Sequence, residues 1–93
     1  MAGPRYIADP PGLVRSVPLD ALTALFHKPS GMTHILAPPA PQILVALAGG
    51  PADADELVAR IGADFDLSGE DDAVAAIAAR LGELEAAGLV RRA

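Results

Sequence analysis

Residues 22–47 read LTALFHKPSGMTHILAPPAPQILVAL, and this stretch decides the fold. Lys28-Pro29-Ser30-Gly31 is turn chemistry. Proline fixes φ at the second position, serine tolerates the third, and glycine supplies the positive φ from which the chain exits. On one side Leu22, Ala24 and Phe26 alternate with Thr23, Leu25 and His27; on the other Met32, His34 and Leu36 alternate with Thr33 and Ile35. A period of two on both sides of a tight turn predicts a β-hairpin. The period then changes. Pro38, Pro39 and Pro41 crowd the start of the next element, and Ile43, Leu44 and Leu47 recur at helical spacing. Prolines belong at a helix start, where the first N–H groups lack helical partners anyway. A helix leaving directly from a strand sets that strand beside the helical layer, and what packs there forms a groove with it.

Upstream, Leu13–Leu19 (LVRSVPL) alternates as a further strand, which Pro18 confines to an edge or ends. Leu19-Asp20-Ala21 connects it to the next. Residues 1–12, rich in Pro and Gly with Tyr6 as the one aromatic, read as a flexible arm outside the core whose order depends on a partner. Downstream, Gly49-Gly50-Pro51 stops the first helix, and Asp53 with Glu56 makes a capping-box entry to a second. Leu57, Val58, Ile61 and Phe65 form its apolar stripe. Gly62, about 1 kcal/mol less favourable than alanine inside an exposed helix, marks its end. Asp64 to Gly69 is a loop. Ser68 then caps a third helix, with Glu70, Asp71 and Asp72 in its first turn at the positive end of the helix dipole. Val74, Ile77, Leu81 and Leu84 keep one apolar face through to Gly88, which suits the left-handed position after a helix, with Leu89 and Val90 packing beyond it. Arg91 and Arg92 read as a frayed end. Three strands followed by three helices predict an α+β domain over residues 13–93, of winged helix-turn-helix type with the wing first.

Composition narrows the chemistry. Ninety-three residues make one domain with a modest core and no separate catalytic lobe. Without cysteines neither a disulfide framework nor a thiolate metal site is available, and the two histidines lack a third ligand at any motif spacing. No metal or cofactor is expected. The longest apolar run, Ile43 to Ala48, is too short to span a bilayer, and the start of the chain lacks a charged head followed by an apolar run. The expected location is the cytoplasm, with no membrane partner.

Catalysis finds no gathering of polar groups. His27 and His34 occupy opposite phases of the paired strands, with no Ser or Cys nucleophile near either in a motif, so no catalytic residue is assigned. His27 reads as a strand-end residue at the hairpin. His34 shares a face with Met32 and Leu36, and is either a hydrogen-bonded, partly buried imidazole or a polar group at the rim of a groove. Glu70, Asp71 and Asp72 fan apart on a helix and suit cap chemistry better than cation binding. Gly49-Gly50 is a lone pair, not a phosphate-cradling loop.

Nucleic acid is disfavoured by charge. Seven basic against twelve acidic residues give a net charge of −5, and aromatics for stacking make up only 3% of the chain. A recognition helix should carry Lys or Arg in its amino-terminal half. Asp66 to Ala86 instead holds Asp66, Glu70, Asp71, Asp72, Glu83 and Glu85 against one base, Arg80.

Peptide binding by strand addition fits what the other readings leave over. The hairpin leaves Met32 to Leu36 as an edge with unpaired backbone groups beside the third helix. Ala73, Ala75, Ala76, Ala78 and Ala79 thin that helix into a shallow slot for bulky guest side chains, although for any single alanine helix propensity is the simpler account. A free edge also predicts a homodimer through the strands or an exchanged amino-terminal arm.

The junction Ile35-Leu36-Ala37-Pro38-Pro39-Ala40-Pro41-Gln42-Ile43-Leu44, preceded by Phe26-His27-Lys28-Pro29-Ser30-Gly31-Met32-Thr33-His34, resembles the PqqD-like peptide chaperones, or precursor-peptide recognition elements. Within that family it is most similar to the branch encoded beside HPr-kinase-related proteins. Asp55-Glu56-Leu57 and Leu84-Glu85-Ala86-Ala87-Gly88-Leu89-Val90 match the second-helix entry and the last helical turns, and the likeness covers residues 13–91. It implies a non-enzymatic domain that grips the leader of a precursor peptide and presents it to a modifying enzyme or kinase-related protein. The leader would lie along Met32, Thr33, His34, Ile35 and Leu36 and against Val74, Ile77, Ala78 and Leu81, helix positions that also serve the core. Ala37 stands where the family has a small polar cap, so the prolines must hold the helix start. The runner-up is a winged-helix regulator of transcription or a plain protein-interaction module.

Overall fold

A computed structural model describes residues 3–62 and 72–93. In chain order it contains β1 (Tyr6–Ala8), a 3-10 turn (Pro11–Leu13), β2 (Val14–Leu19), β3 (Leu22–His27), β4 (Met32–Leu36), α1 (Ala40–Leu47), α2 (Ala54–Gly62), α3 (Ala73–Ala86) and β5 (Val90–Arg92). The fold is α+β. An antiparallel sheet of order β2-β3-β4 precedes three helices, and β1 pairs with β5 in a second, two-stranded sheet.

The turn residues act as their chemistry predicts. Gly31 takes φ 72 at the exit of the β3–β4 hairpin and its N–H donates to the His27 carbonyl at 2.9 Å. Asp20, at φ 54, opens the two-residue β2–β3 turn that closes on the Leu19 and Leu22 pair. Aspartate tolerates this left-handed position because its short polar side chain bonds locally.

Each helix begins by a different device. α1 follows Pro39 with no side-chain cap, so its start rests on proline-set φ, and Ala40, Ile43 and Leu47 face the core. α2 has a reciprocal capping box: the Glu56 N–H donates to Asp53 Oδ1 at 2.9 Å and the Asp53 N–H to Glu56 Oε1 at 3.2 Å. α3 is capped by Asp72, whose Oδ1 accepts from the Ala75 N–H at 3.0 Å. Asp72 is thus the cap and not a first-turn residue. The expected Ser68 cap, Glu70, Asp71, Phe65 and the Asp64–Gly69 loop lie outside the described residues. α3 ends in a complete Schellman closure, with the Leu89 N–H on the Leu84 carbonyl at 2.9 Å, the Gly88 N–H on Glu85 at 3.0 Å, and Gly88 at φ 80.

Two expectations about the chain ends need correcting. Tyr6–Ala8 is not an arm outside the core, since Tyr6 is only 6% exposed and joins the core cluster. Arg91 and Arg92 are not frayed, since they pair with Ile7 and Tyr6. The Tyr6 N–H donates to the Ala52 carbonyl at 2.8 Å and the Ala52 N–H returns to Tyr6 at 3.1 Å, so the segment is held between β5 and the α1–α2 connection. Arg5 adds bonds to Glu56 at 2.7 Å and to the Pro51 carbonyl at 2.9 Å.

The core lies among the helices and the small sheet. Ile43, Leu57, Ile77 and Leu81 are its largest fully buried members, while Leu25 is the one fully committed core residue from the three-stranded sheet. That sheet meets the core chiefly through Leu25, with half-buried Val14 and Leu36 packed alongside. Its other face, carrying Val17, Leu19, Leu22, Phe26 and Ile35, is exposed. No described helix is long and apolar enough to cross a membrane.

Candidate functional site

The β-ladder decides which main-chain groups are vacant. In an antiparallel pair, hydrogen-bonded and non-hydrogen-bonded residue pairs alternate. The Lys28 N–H donates to the Leu13 carbonyl at 2.9 Å, one step beyond the Val14 and His27 pair. Arg15 with Phe26, Val17 with Ala24 and Leu19 with Leu22 are then the bonded pairs. Val14, Ser16 and Pro18 turn their main chains away from β3 to the open side. Pro18 fits this phase, because its missing N–H falls where the sheet needs no donor.

The same alternation continues across β3. Thr23, Leu25 and His27 bond toward Leu36, His34 and Met32, which leaves Thr33 and Ile35 with N–H and C=O directed outward from β4. Among the described residues no strand pairs with either edge of the sheet.

Residues Met32–Leu36 form the β4 edge itself. Met32, Thr33 and Ile35 are exposed, with Ile35 at 58%, whereas His34 and Leu36 are half-buried on the inner face. On α3, Val74 is half-buried and Ala78 exposed, but Ile77 and Leu81 are 0% exposed and belong to the core alone. Of the four helix positions, then, two are accessible. Arg80, the base of this helix, is paired with Glu83 at 2.8 Å.

An apolar groove of about 500 Å³ lies on a different pair of elements, between the inner face of β2–β3 and α1. Its walls include Val14, Ser16, Pro18 and Leu25 from the strands and Pro41, Leu44, Val45 and Ala48 from α1, with no residue of β4 or α3. Val45 is 75% exposed. The strand-to-helix junction predicts a groove along β4 and against α3; the groove found lies instead along β2 and against α1.

One end of the groove touches a polar cluster. His27 is buried, with Nε2 donating to Asp9 Oδ2 at 2.7 Å and Nδ1 2.8 Å from Ser30 Oγ. Arg91 donates to the other Asp9 oxygen at 3.1 Å. The His27 hydrogen bond, helped by Arg91, holds the Asp9 carboxyl below its ordinary pKa against the opposing effect of partial burial. Asp–His–Ser connectivity is that of a nucleophilic triad. Ser30 Oγ, however, also accepts the Met32 N–H at 3.3 Å within the hairpin and is not a wall of the groove. The cluster joins the start of the chain, the hairpin and β5.

This corrects the expected histidine environment in two respects. The register of Leu25 with His34 and of His27 with Met32 puts both imidazoles on the inner face, not in opposite phases. A serine does lie beside His27. The signal was the three-residue spacing across a turn, while Asp9 is too distant in sequence to suggest itself. His34 Nε2 and Gln42 Oε1 are buried without a hydrogen-bond partner among the described residues.

Comparison with protein-family models, with curated proteins and with solved structures gives no match to the chain.

Proposed function

We propose that this chain is a non-enzymatic peptide-binding adaptor that takes the leader segment of a precursor peptide as an added strand on β4 and presents it to a modifying enzyme. The observation that carries this reading is the outward pair Thr33 and Ile35, whose N–H and C=O groups have no partner strand beyond them among the described residues. Net gains of about 0.5–1.5 kcal/mol per main-chain hydrogen bond leave strand pairing alone too weak for stable capture. Guest side chains must supply the remainder. Exposed Ile35 and Phe26 on the outer face, and half-buried His34 and Leu36 on the inner face, are what alternate guest side chains would meet. No cofactor has a part in this role, and the acidic surface disfavours nucleic acid.

The test is fluorescence anisotropy with labelled leader peptides encoded beside the protein. Thr33→Pro deletes one outward donor without touching the β3 ladder, so affinity is expected to fall at least tenfold while the circular dichroism spectrum is kept. Parental affinity in that variant would refute strand addition at β4.

A further inference from the structure

We infer that the groove between β2 and α1 is a second peptide site, which takes an extended segment with apolar residues at alternate positions as a fourth strand on β2. This goes beyond the β4 reading, because it uses the opposite edge of the sheet and a different helix.

The vacant row on β2 has a definite composition. The Val14 N–H is already committed to the Pro11 carbonyl and Pro18 has none, so the edge presents one donor, the Ser16 N–H, and the carbonyls of Val14, Ser16 and Pro18. An antiparallel guest matches this. Its central residue exchanges two bonds with Ser16, and the residues two before and two after donate to Pro18 and Val14.

Side-chain direction follows from the same phase. Guest residues bonded to Val14, Ser16 and Pro18 share their face, so three side chains spaced about 7 Å apart enter the groove together. Across it lie Leu44, Val45 and Ala48 of α1. Val45, 75% exposed, is the most exposed large apolar side chain among the described residues, and it lines the same groove as Val14, Ser16 and Pro18. The volume, about 500 Å³, falls within the range of small-ligand sites.

Charge sets the direction of the guest. Asp20 stands past one end of β2, with Arg15 and Lys28 near the other, and neither Asp20 nor Arg15 makes an ion pair among the described residues. An antiparallel guest therefore starts beside Asp20 with a base and sets an acid opposite Arg15, where cross-strand opposite charges attract. The occupant is a segment of the form base-x-apolar-x-apolar-acid-apolar.

The probe is acetyl-Lys-Thr-Leu-Thr-Val-Glu-Leu-amide, titrated into the full chain by calorimetry. Saturable binding is expected, at least tenfold weaker in Val45→Glu and in Ser16→Pro, and unchanged in Thr33→Pro. Exchanging the apolar and threonine positions of the peptide should also weaken binding at least tenfold. Val45 is exposed, so Val45→Glu is expected to fold, and circular dichroism checks this. Absence of saturable binding, or parental affinity in both Val45→Glu and Ser16→Pro, overturns the β2 site. Loss in Thr33→Pro alone assigns the peptide to β4, which overturns this inference and leaves the β4 reading standing.

Discussion

Replacing Tyr6 by alanine tests whether the first residues of the chain belong to the folded unit. Tyr6 is 6% exposed, pairs with Arg92 in β5, and exchanges two main-chain bonds with Ala52. A buried aromatic side chain removes about 150–250 Å² from water, worth roughly 4–6 kcal/mol at about 25 cal/mol per Å². A compact unfolded state trims this by roughly a tenth to 40%, to about 2–5 kcal/mol, overlapping the usual range for aromatic-to-alanine changes in cores. Against a total of about 5–15 kcal/mol such a loss is large, and it lowers the melting temperature by roughly 8 °C or more. Urea denaturation followed by circular dichroism measures it directly. Arg92→Ala serves as the control. It removes a guanidinium 5.8 Å from the Tyr6 ring centroid while leaving the ring, and is expected to destabilise by only about 0.5–1 kcal/mol. A Tyr6→Ala loss below about 1 kcal/mol would refute the placement of β1 in the core, because no well-packed aromatic is removed so cheaply.

Three further outcomes follow from local geometry. Asp53→Ala removes a 4%-exposed cap and orphans the Glu56 N–H, so thermal unfolding should report a loss of roughly 1–2 kcal/mol. Gly82→Ala and Gly88→Ala should have opposite signs. Gly82 lies inside α3 with open space at its Cβ position and gains up to about 1 kcal/mol in helix propensity, whereas Gly88 at φ 80 loses roughly 1–2 kcal/mol to left-handed strain in urea titrations. The lowered pKa of Asp9 contributes stability that is fully present above the ordinary aspartate range and is lost as pH falls through the folded value. Stability measured between pH 5 and about pH 2 should therefore drop more steeply in the parent than in Asp9→Asn.

What the sequence reveals is whatever depends on neighbours along the chain. The Lys28–Gly31 turn, the Asp53–Glu56 box and the left-handed Gly88 are set by residues within four of one another, and each stands where its spacing puts it. Proline at position 18 foretold an edge strand for the reason that holds in space, a donor missing on the side where no described strand pairs. The small sheet was not legible. Its strands are three residues long, too short for alternation to show, and the pairing of Tyr6 with Arg92 joins the two ends of the chain. The α3 start was placed at a Ser68 cap, whereas Asp72 caps the described helix; serine and aspartate are both competent caps, and chemistry alone does not select between them. Histidine phase failed through the sensitivity of strands to register, in which one residue of slip exchanges the faces. The groove was expected from the strand-to-helix junction, but periodicity does not say under which strand α1 comes to lie.

The two edges of the one sheet read a guest by opposite faces, and this yields a discriminating pair of outcomes. On β2 the residues with vacant main-chain groups, Val14, Ser16 and Pro18, point inward over the groove. On β4 the equivalent residues, Thr33 and Ile35, point outward beside Phe26. A guest bonded to β4 therefore sets its hydrogen-bonded side chains on the open outer face, where Phe26 and Ile35 are the apolar surfaces within reach. Phe26→Ser should weaken a β4 guest several-fold and leave a β2 guest unaffected, whereas Val45→Glu should do the reverse. Phe26 is exposed, so its replacement is expected to have little effect on folding. Equal losses of both guests in either variant would show that the edges are not independent, which the separate faces of the sheet do not permit.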